Sequence, residues 1–508
     1  MPCKNKLRKG LLLLLCFLFL LSGCVPKQVE EPTTTPSVPQ TENGEVDEAL
    51  KIRLPYFKKD SLNPYAAVSA ENRALASLVA EPLFRVQKEY TPAPILAEAV
   101  ENQGETVTVT LQSAKFSDGK TLSAQDVVYS FQKAKASDWY ASRLATVESA
   151  KAISSKKVEF TLTEPNRFAE NLLTFPIVKQ NSAESADSVP VGTGAYVLSV
   201  RGEVEKNKQN PTSNAAPYVA LEGIQDLNHL KNTLEIGNIH FLFSDFQNGT
   251  YERVVAQNTF LTMNNLVYLG MNHTAAPLHV SAFRTALYYA VDKDGIASSA
   301  YQGCAKPAAV PLHPDAAETL SLLLPKTAGD TQKAMEILRK IGYNRYDKDG
   351  HLTNGTAAPK LSVLVNSNNP FRVAAAEHIS RALLEIGIAA PVESVAYETY
   401  MARLQSGAYT LYIGEVKLPE DLSLSAFFGG GAADRFMLPD LPSRAAALAW
   451  HRGEISTEAF KDSFLDDMPF IPLCYRAGMA AYSKEIEPSF QSAAYDIYGN
   501  LSQWQKKV

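Results

Sequence analysis

LSVLVNSNNPFRVAAAEHISRALLEIGIAAPVESV, residues 361–395, is the stretch whose reading decides the fold. Leu361 to Val365 is a short apolar run, the length of a buried strand. From Phe371 the period changes. Val373, Ala376, Ile379, Leu383 and Ile386 recur at helical spacing, and Gly387 supplies a stop. Val392 to Val395 returns to a strand. Strand, crossover helix and strand in this order make parallel sheet.

Upstream the pattern differs. Leu50, Ile52 and Leu54 alternate with Lys51 and Arg53. Val107, Val109 and Leu111 alternate with Thr106, Thr108 and Thr110, and Val158, Phe160 and Leu162 repeat the pattern. These read as antiparallel strands with one wet face. Ser123 to Asp126 has the form of a capping box ahead of Val127, Val128, Phe131 and Ala134 at helical spacing. Asp330 or Thr331 is placed to cap a helix with Ala334, Ile337, Leu338 and Ile341 on one face, ended by Gly342. Early antiparallel segments and later parallel units predict α/β lobes of different design.

The chain has 508 residues, and the body from about Glu48 to Val508 is too long for one core, so two or three domains are expected. Ahead of it, Lys4, Lys6, Arg8 and Lys9 precede an apolar run from Leu11 to Leu21. This is the anatomy of a secretory signal, too short to cross a bilayer comfortably. The next residues, Leu21-Ser22-Gly23-Cys24, resemble the lipobox of bacterial lipoproteins. That resemblance implies cleavage of residues 1–23 and acylation of Cys24. Residues 24–47 carry Pro26, Pro32, Pro36 and Pro39 and no aromatic residue, which predicts a disordered tether. The expected location is the outer face of the cytoplasmic membrane, extracellular or periplasmic, with a lipid anchor as the sole membrane attachment. Losing the four basic residues of the leader takes the net charge from −5 to −9. That balance argues against nucleic acid and against electrostatic adhesion to anionic lipid. Cys304 and Cys474, far apart in sequence, read as buried apolar residues, with at most one disulfide between them.

Four segments together resemble the family 5 extracellular solute-binding proteins of ABC transporters, the peptide and nickel class. Pro94-Ile95-Leu96-Ala97-Glu98 leads to the Thr/Val strand, then to Phe116-Ser117-Asp118-Gly119 and Leu122 to Ser130. Gly192-Thr193-Gly194-Ala195-Tyr196 is similar to the family's G-T-G-P-Y, with Ala195 in place of proline. Tyr268 to Asn272 and Phe283 to Lys293 look like two further motifs, and the 361–395 crossover followed by Tyr397, Tyr400 and Leu404 is the fourth. Most of these residues have structural explanations. Asp118-Gly119 suits a turn, the glycines suit a tight strand entry, and Arg284 and Asp292 suit capping or ion-pair roles.

The resemblance implies an α/β, two-lobed periplasmic-binding-protein-like fold (class II, cluster C type) with an extra subdomain on the first lobe. Lobe I would span residues 48–271 with a subdomain at about 65–186. Lobe II would span 272–477, and 478–508 would return to lobe I. It further implies a monomeric, non-enzymatic receptor that traps an oligopeptide between the lobes and delivers it to permease subunits. In peptide-binding members an acid shortly before a proline holds the peptide amine. Glu415, four residues before Pro419, has that spacing here, and Asp421 is an alternative. The bland reading of Glu415 is a solvated loop residue paired with Lys417. The arginine that some members use for the peptide carboxylate is replaced by Asn366, while Arg372 falls on the first helical turn. Tyr65, Tyr409 and Tyr412 are further candidates for the cleft.

No cofactor is implied. The eight histidines lack zinc spacing, Asp347 to Gly350 reads as a turn, and Asp466-Asp467 reads as another, solvated one. There is no P-loop, dinucleotide fingerprint or nucleophile elbow. The alternatives to a peptide receptor are a receptor for a metal chelate or other small solute, and a surface sensor or interaction lipoprotein.

Overall fold

The computed structural model describes residues 47–251, 253–429 and 440–507. The leader, Cys24 and all of the tether but Asp47 lie outside them. The largest sheet has seven strands. Six run in the order Phe241–Ser244, Ile471–Tyr482, Gln257–Met271, Leu411–Lys417, Val363–Asn366 and Val392–Val395, and Ala305–Pro307 also pairs with Ile471–Tyr482. The expected crossover is present: Val363–Asn366 and Val392–Val395 are parallel, in register Val363 to Val392, with helix Pro370–Glu385 between them. Asn369 caps that helix by accepting from the Arg372 N–H, and Pro370 occupies its first turn.

Two strands are long, Gln257–Met271 with 15 residues and Ile471–Tyr482 with 12, against a usual length of about 5–6. They change neighbours along their length. From Gln257 to Thr262 the first pairs with Ala477 to Tyr482, whose far side takes Phe241–Ser244. The register shifts between Thr262 and Leu266. Beyond it, Asn265 to Met271 also pair with Leu411–Lys417. Residues 263–265 therefore bulge where the sheet passes from one set of neighbours to the next.

A second sheet is antiparallel, in the order Ala97–Gln103, Thr106–Leu111, Lys157–Leu162, Val147–Ala152. Val107, Val109, Leu111, Val158 and Phe160 bury their side chains in a core of its own with helix Ala124–Lys135. The Ser123–Asp126 capping box opens that helix. One expectation is corrected: Lys51–Phe57 pairs in parallel with Tyr218–Ile224. Ile52 and Leu54 are fully buried as the alternation implies. Alternation reports a buried face and says nothing of direction, which here is set by the long excursion between the two strands.

The remaining motif residues serve packing. A Cβ on Gly192 would lie 2.0 Å from the Val79 carbonyl oxygen, and one on Gly194 2.4 Å from that of Leu78, so only glycine allows this approach. Arg284 is buried and donates to the carbonyls of Leu278, Asp467 and Met468. That corrects the solvated-turn reading of Asp466-Asp467: helix Thr457–Asp467 ends there, and the Asp467 carboxylate accepts the Ser443 N–H. Cys304 and Cys474 are buried and free.

Gly192→Ala is expected to cost about 1–3 kcal/mol of unfolding free energy, read by urea denaturation. A pH dependence also follows. His240, His273 and His313 are buried, and burial lowers each from 6.5 to about 4. The unfolded chain takes up protons near 6.5 that the native state refuses. This stability is therefore complete above about pH 6.5 and is lost as pH falls through about 4. The melting temperature is expected to fall across that window. His273→Gln keeps a donor for the Pro469 carbonyl that His273 contacts at 2.8 Å, and its slope will be shallower.

Candidate functional site: a cationic cleft at the strand bulge

A cleft of about 1300 Å³ opens over the bulge, with Met263, Asn264 and Asn265 in its lining. It exceeds the usual range of about 300–1,000 Å³ for small-molecule pockets. Helix Ala70–Ala74 and the Trp139–Arg143 segment contribute to its walls, as do the chain after strand Phe241–Ser244, the end of strand Leu411–Lys417 through Lys417 and the middle of strand Ile471–Tyr482 through Arg476.

At its floor lies a closed polar knot. Glu415 sits on strand Leu411–Lys417 opposite Val267, with a side chain only 7 % exposed. Its Oε1 accepts from Arg476 Nε at 3.0 Å and Asn265 Nδ2 at 2.9 Å. Its Oε2 accepts from Arg372 Nη2 at 2.6 Å and Arg372 Nε at 3.2 Å. A carboxylate has about four acceptor positions, and all four are used. Burial alone would raise the Glu415 pKa. Arg476 and Arg372 outweigh that effect and hold it below the ordinary carboxylate value.

This geometry corrects both earlier readings of Glu415. It is neither a loop residue paired with Lys417 nor a carboxylate open to an incoming ammonium. Asp421 is buried too, receiving Asn166 Nδ2 at 2.8 Å and lying 3.2 Å from His451 Nε2. Tyr412 and Tyr409 belong to the core and pack edge-to-face with each other, Tyr412 also with Tyr268. Gly270 leaves room for this, since its Cβ would stand 2.0 Å from the Tyr412 ring. Asn366 is buried and accepts the Asn368 N–H in the turn before the helix. Tyr65 is half-buried, donates to the Pro176 carbonyl and packs against Tyr140. None of Glu415, Tyr412, Asn366 and Tyr65 lines the cleft.

The cleft's own chemistry centres on Trp139. The Arg73 guanidinium lies 3.9 Å from the centroid of its ring, Lys417 Nζ 4.6 Å and the Arg143 guanidinium 5.6 Å. Arg143 is buried and paired with buried Glu420 at 3.0 Å; burial opposes its charge, and Glu420 with Tyr495 and Tyr140 outweighs burial. Arg73 and Lys417 form no ion pair among the described residues, and burial lowers the pKa of both. Of the acids in the lining, Asp60 is occupied by the N–H groups of Ser61, Val68 and Ser69, and Asp496 by Arg85. Asp245 accepts the Gln247 N–H at 3.2 Å and Gln247 Nε2 at 2.5 Å. Glu71 remains among the described residues, held above its ordinary value by burial and by Asp245 and Asp60. Sequence reasoning missed this cluster because its members lie in segments remote from one another. Lys417 alone carried a signal, since it shares the strand face of Glu415 two residues away.

Replacing Glu415 with Gln strands the buried guanidinium of Arg476 and the half-buried one of Arg372. The expected result is a loss of about 3–5 kcal/mol of stability in the ligand-free protein, measured by thermal or urea unfolding. A residue that served only to bind ligand would leave that stability unchanged.

Comparison with known proteins fits this geometry. The model of bacterial extracellular solute-binding proteins, family 5 (Middle), matches residues 91–430. The glutathione-binding protein GsiB of Shigella flexneri serotype 5b is 23% identical over 475 residues, covering 84% of this chain and 89% of that protein. The unliganded open form of the periplasmic murein tripeptide binding protein MppA superposes with a TM-score of 0.74 at 16% identity, covering 91% of this chain and 98% of that one. Brucella suis NikA, in complex with Fe(III)-EDTA, gives 0.65 at 20%, covering 90% and 100%. The structural matches establish the two-lobed α/β fold. The family match, spanning most of the chain, shows that it belongs to the bacterial extracellular solute-binding proteins of family 5.

Proposed function

We propose that this chain captures an oligopeptide or a close peptide-like solute in the cleft and hands it to the permease of an ABC importer. Membership of the family makes it the solute-binding component of such an importer, outside the cytoplasm. The cleft carries the finer reading. It is large, and it holds groups of both signs: cations around Trp139 and the acid Glu71. A zwitterionic chain of several residues matches that layout better than a neutral sugar does. Relatives named for glutathione and for murein tripeptide bind peptide-like molecules, which supports the same class.

In this reading residues 48–271 and 478–508 make one lobe, with 65–186 as a subdomain that owns the four-stranded sheet. Residues 272–477 make the other, and the bulge at 263–265 is the pivot for closure. Acylated Cys24 and the 24–47 segment would keep the monomeric receptor beside its permease. The second reading is a receptor for a carboxylate-rich metal chelate. It is favoured by the cations of the cleft and by the likeness to NikA.

The test is to purify the full-length protein from membranes without added ligand, denature it and identify the released small molecules by mass spectrometry. Peptides or peptide-like acids of one length class are expected. Release of a metal chelate would select the second reading, and neutral sugars would overturn both.

A further inference from the structure

We propose that Arg73, Lys417 and Arg476 form an oxyanion grip, with Trp139 as its platform, that takes a free carboxylate of the cargo. It rests on the peptide-receptor reading and adds which end of the cargo is recognised and by what. Three observations carry it. All four residues line the same cleft. Arg476 is 4 % exposed, and while its Nε is spent on Glu415, its Nη1 has no partner among the described residues. Arg73 donates through Nη1 to the Val68 carbonyl, and its buried Nε also has no partner among them.

A guanidinium donor left unpaired inside a protein costs stability, and a bound oxyanion removes that cost. The strands place the donors together. Lys417 is the register partner of Asn265, and Arg476 follows Tyr475, the register partner of Leu266, so both strands flank the bulge. Glu415 joins Asn265 and Arg476 on one face, and Lys417, two residues on, returns to that face. Arg73 and Trp139 meet Lys417 from helix Ala70–Ala74 and from the segment after helix Ala124–Lys135. Trp139 holds two cations against their mutual repulsion without using their N–H groups as hydrogen-bond donors. Arg143 lacks this freedom, because Glu420 already neutralises it.

The experiment uses full-length protein in detergent and intrinsic tryptophan fluorescence. Of the three tryptophans, Trp450 and Trp504 are buried in the core and Trp139 is on the cleft. The probes are an equimolar tripeptide pool with free carboxyl termini, the same pool as C-terminal amides, and Fe(III)-EDTA. The free-acid pool is expected to bind at least about tenfold more tightly than the amide pool. Lys417→Met and Arg73→Gln, made separately, are each expected to reduce that preference while the unloaded protein keeps a cooperative melting transition. Equal binding of acids and amides, or a preference that both variants retain, overturns the grip and leaves the peptide reading standing. Binding of Fe(III)-EDTA alone, weakened by Lys417→Met, keeps the grip and overturns the peptide reading. If no pool and no chelate binds, both fall.

Discussion

The Glu415 carboxylate, shared between Arg372 and Arg476, is the interaction on which the cleft depends. It joins strand Leu411–Lys417, strand Ile471–Tyr482, the bulge at Asn265 and the first turn of helix Pro370–Glu385 through four hydrogen bonds. Each charge is costly to bury, and two cations around one anion do not repay that cost handsomely. What the knot supplies is position. With all acceptor sites filled, the bulge cannot slide, and Arg476 is held with one nitrogen committed and another directed elsewhere. Such over-determined polar clusters fix one arrangement where apolar packing would tolerate several.

The bulge matters because the two long strands are shared. Before Thr262 the first strand has Ile471–Tyr482 as its neighbour, and after Asn265 it has Leu411–Lys417 as well. Met263 and Asn264 have no register partner and Asn265 has one on the Leu411–Lys417 side alone, so bending there breaks few ladder bonds. Met263, Asn264 and Asn265 line the cleft at this same place, so under the proposed closure a bend here would reshape the cleft wall.

Local patterns carried much of the fold. The 361–395 crossover, the Ser123 capping box and the Asp330 cap were legible because each is decided by residues within one or two turns. The direction of Lys51–Phe57 was not, since its partner lies beyond residue 217 and alternation is blind to orientation. Glu415 shows the same limit at the site. Its spacing from Pro419 is local and readable, but its partners stand 43 and 61 residues away and change its role from open acceptor to saturated one. Arg73, Trp139 and Lys417 meet only through the tertiary fold, so no periodicity in the chain could point to them.

Saturation at Glu415 also bears on how the cleft sorts charge. An acid with every acceptor position filled from within cannot offer one to a ligand ammonium without first surrendering an arginine. The two strands that carry the knot instead present cations to the cleft, at Lys417 and Arg476. Glu71, the acid left to meet an ammonium, stands on helix Ala70–Ala74 together with Arg73, one of the cations around Trp139. Cations thus predominate at the sheet floor and around Trp139, and a cargo ammonium set against that cluster would meet its own sign.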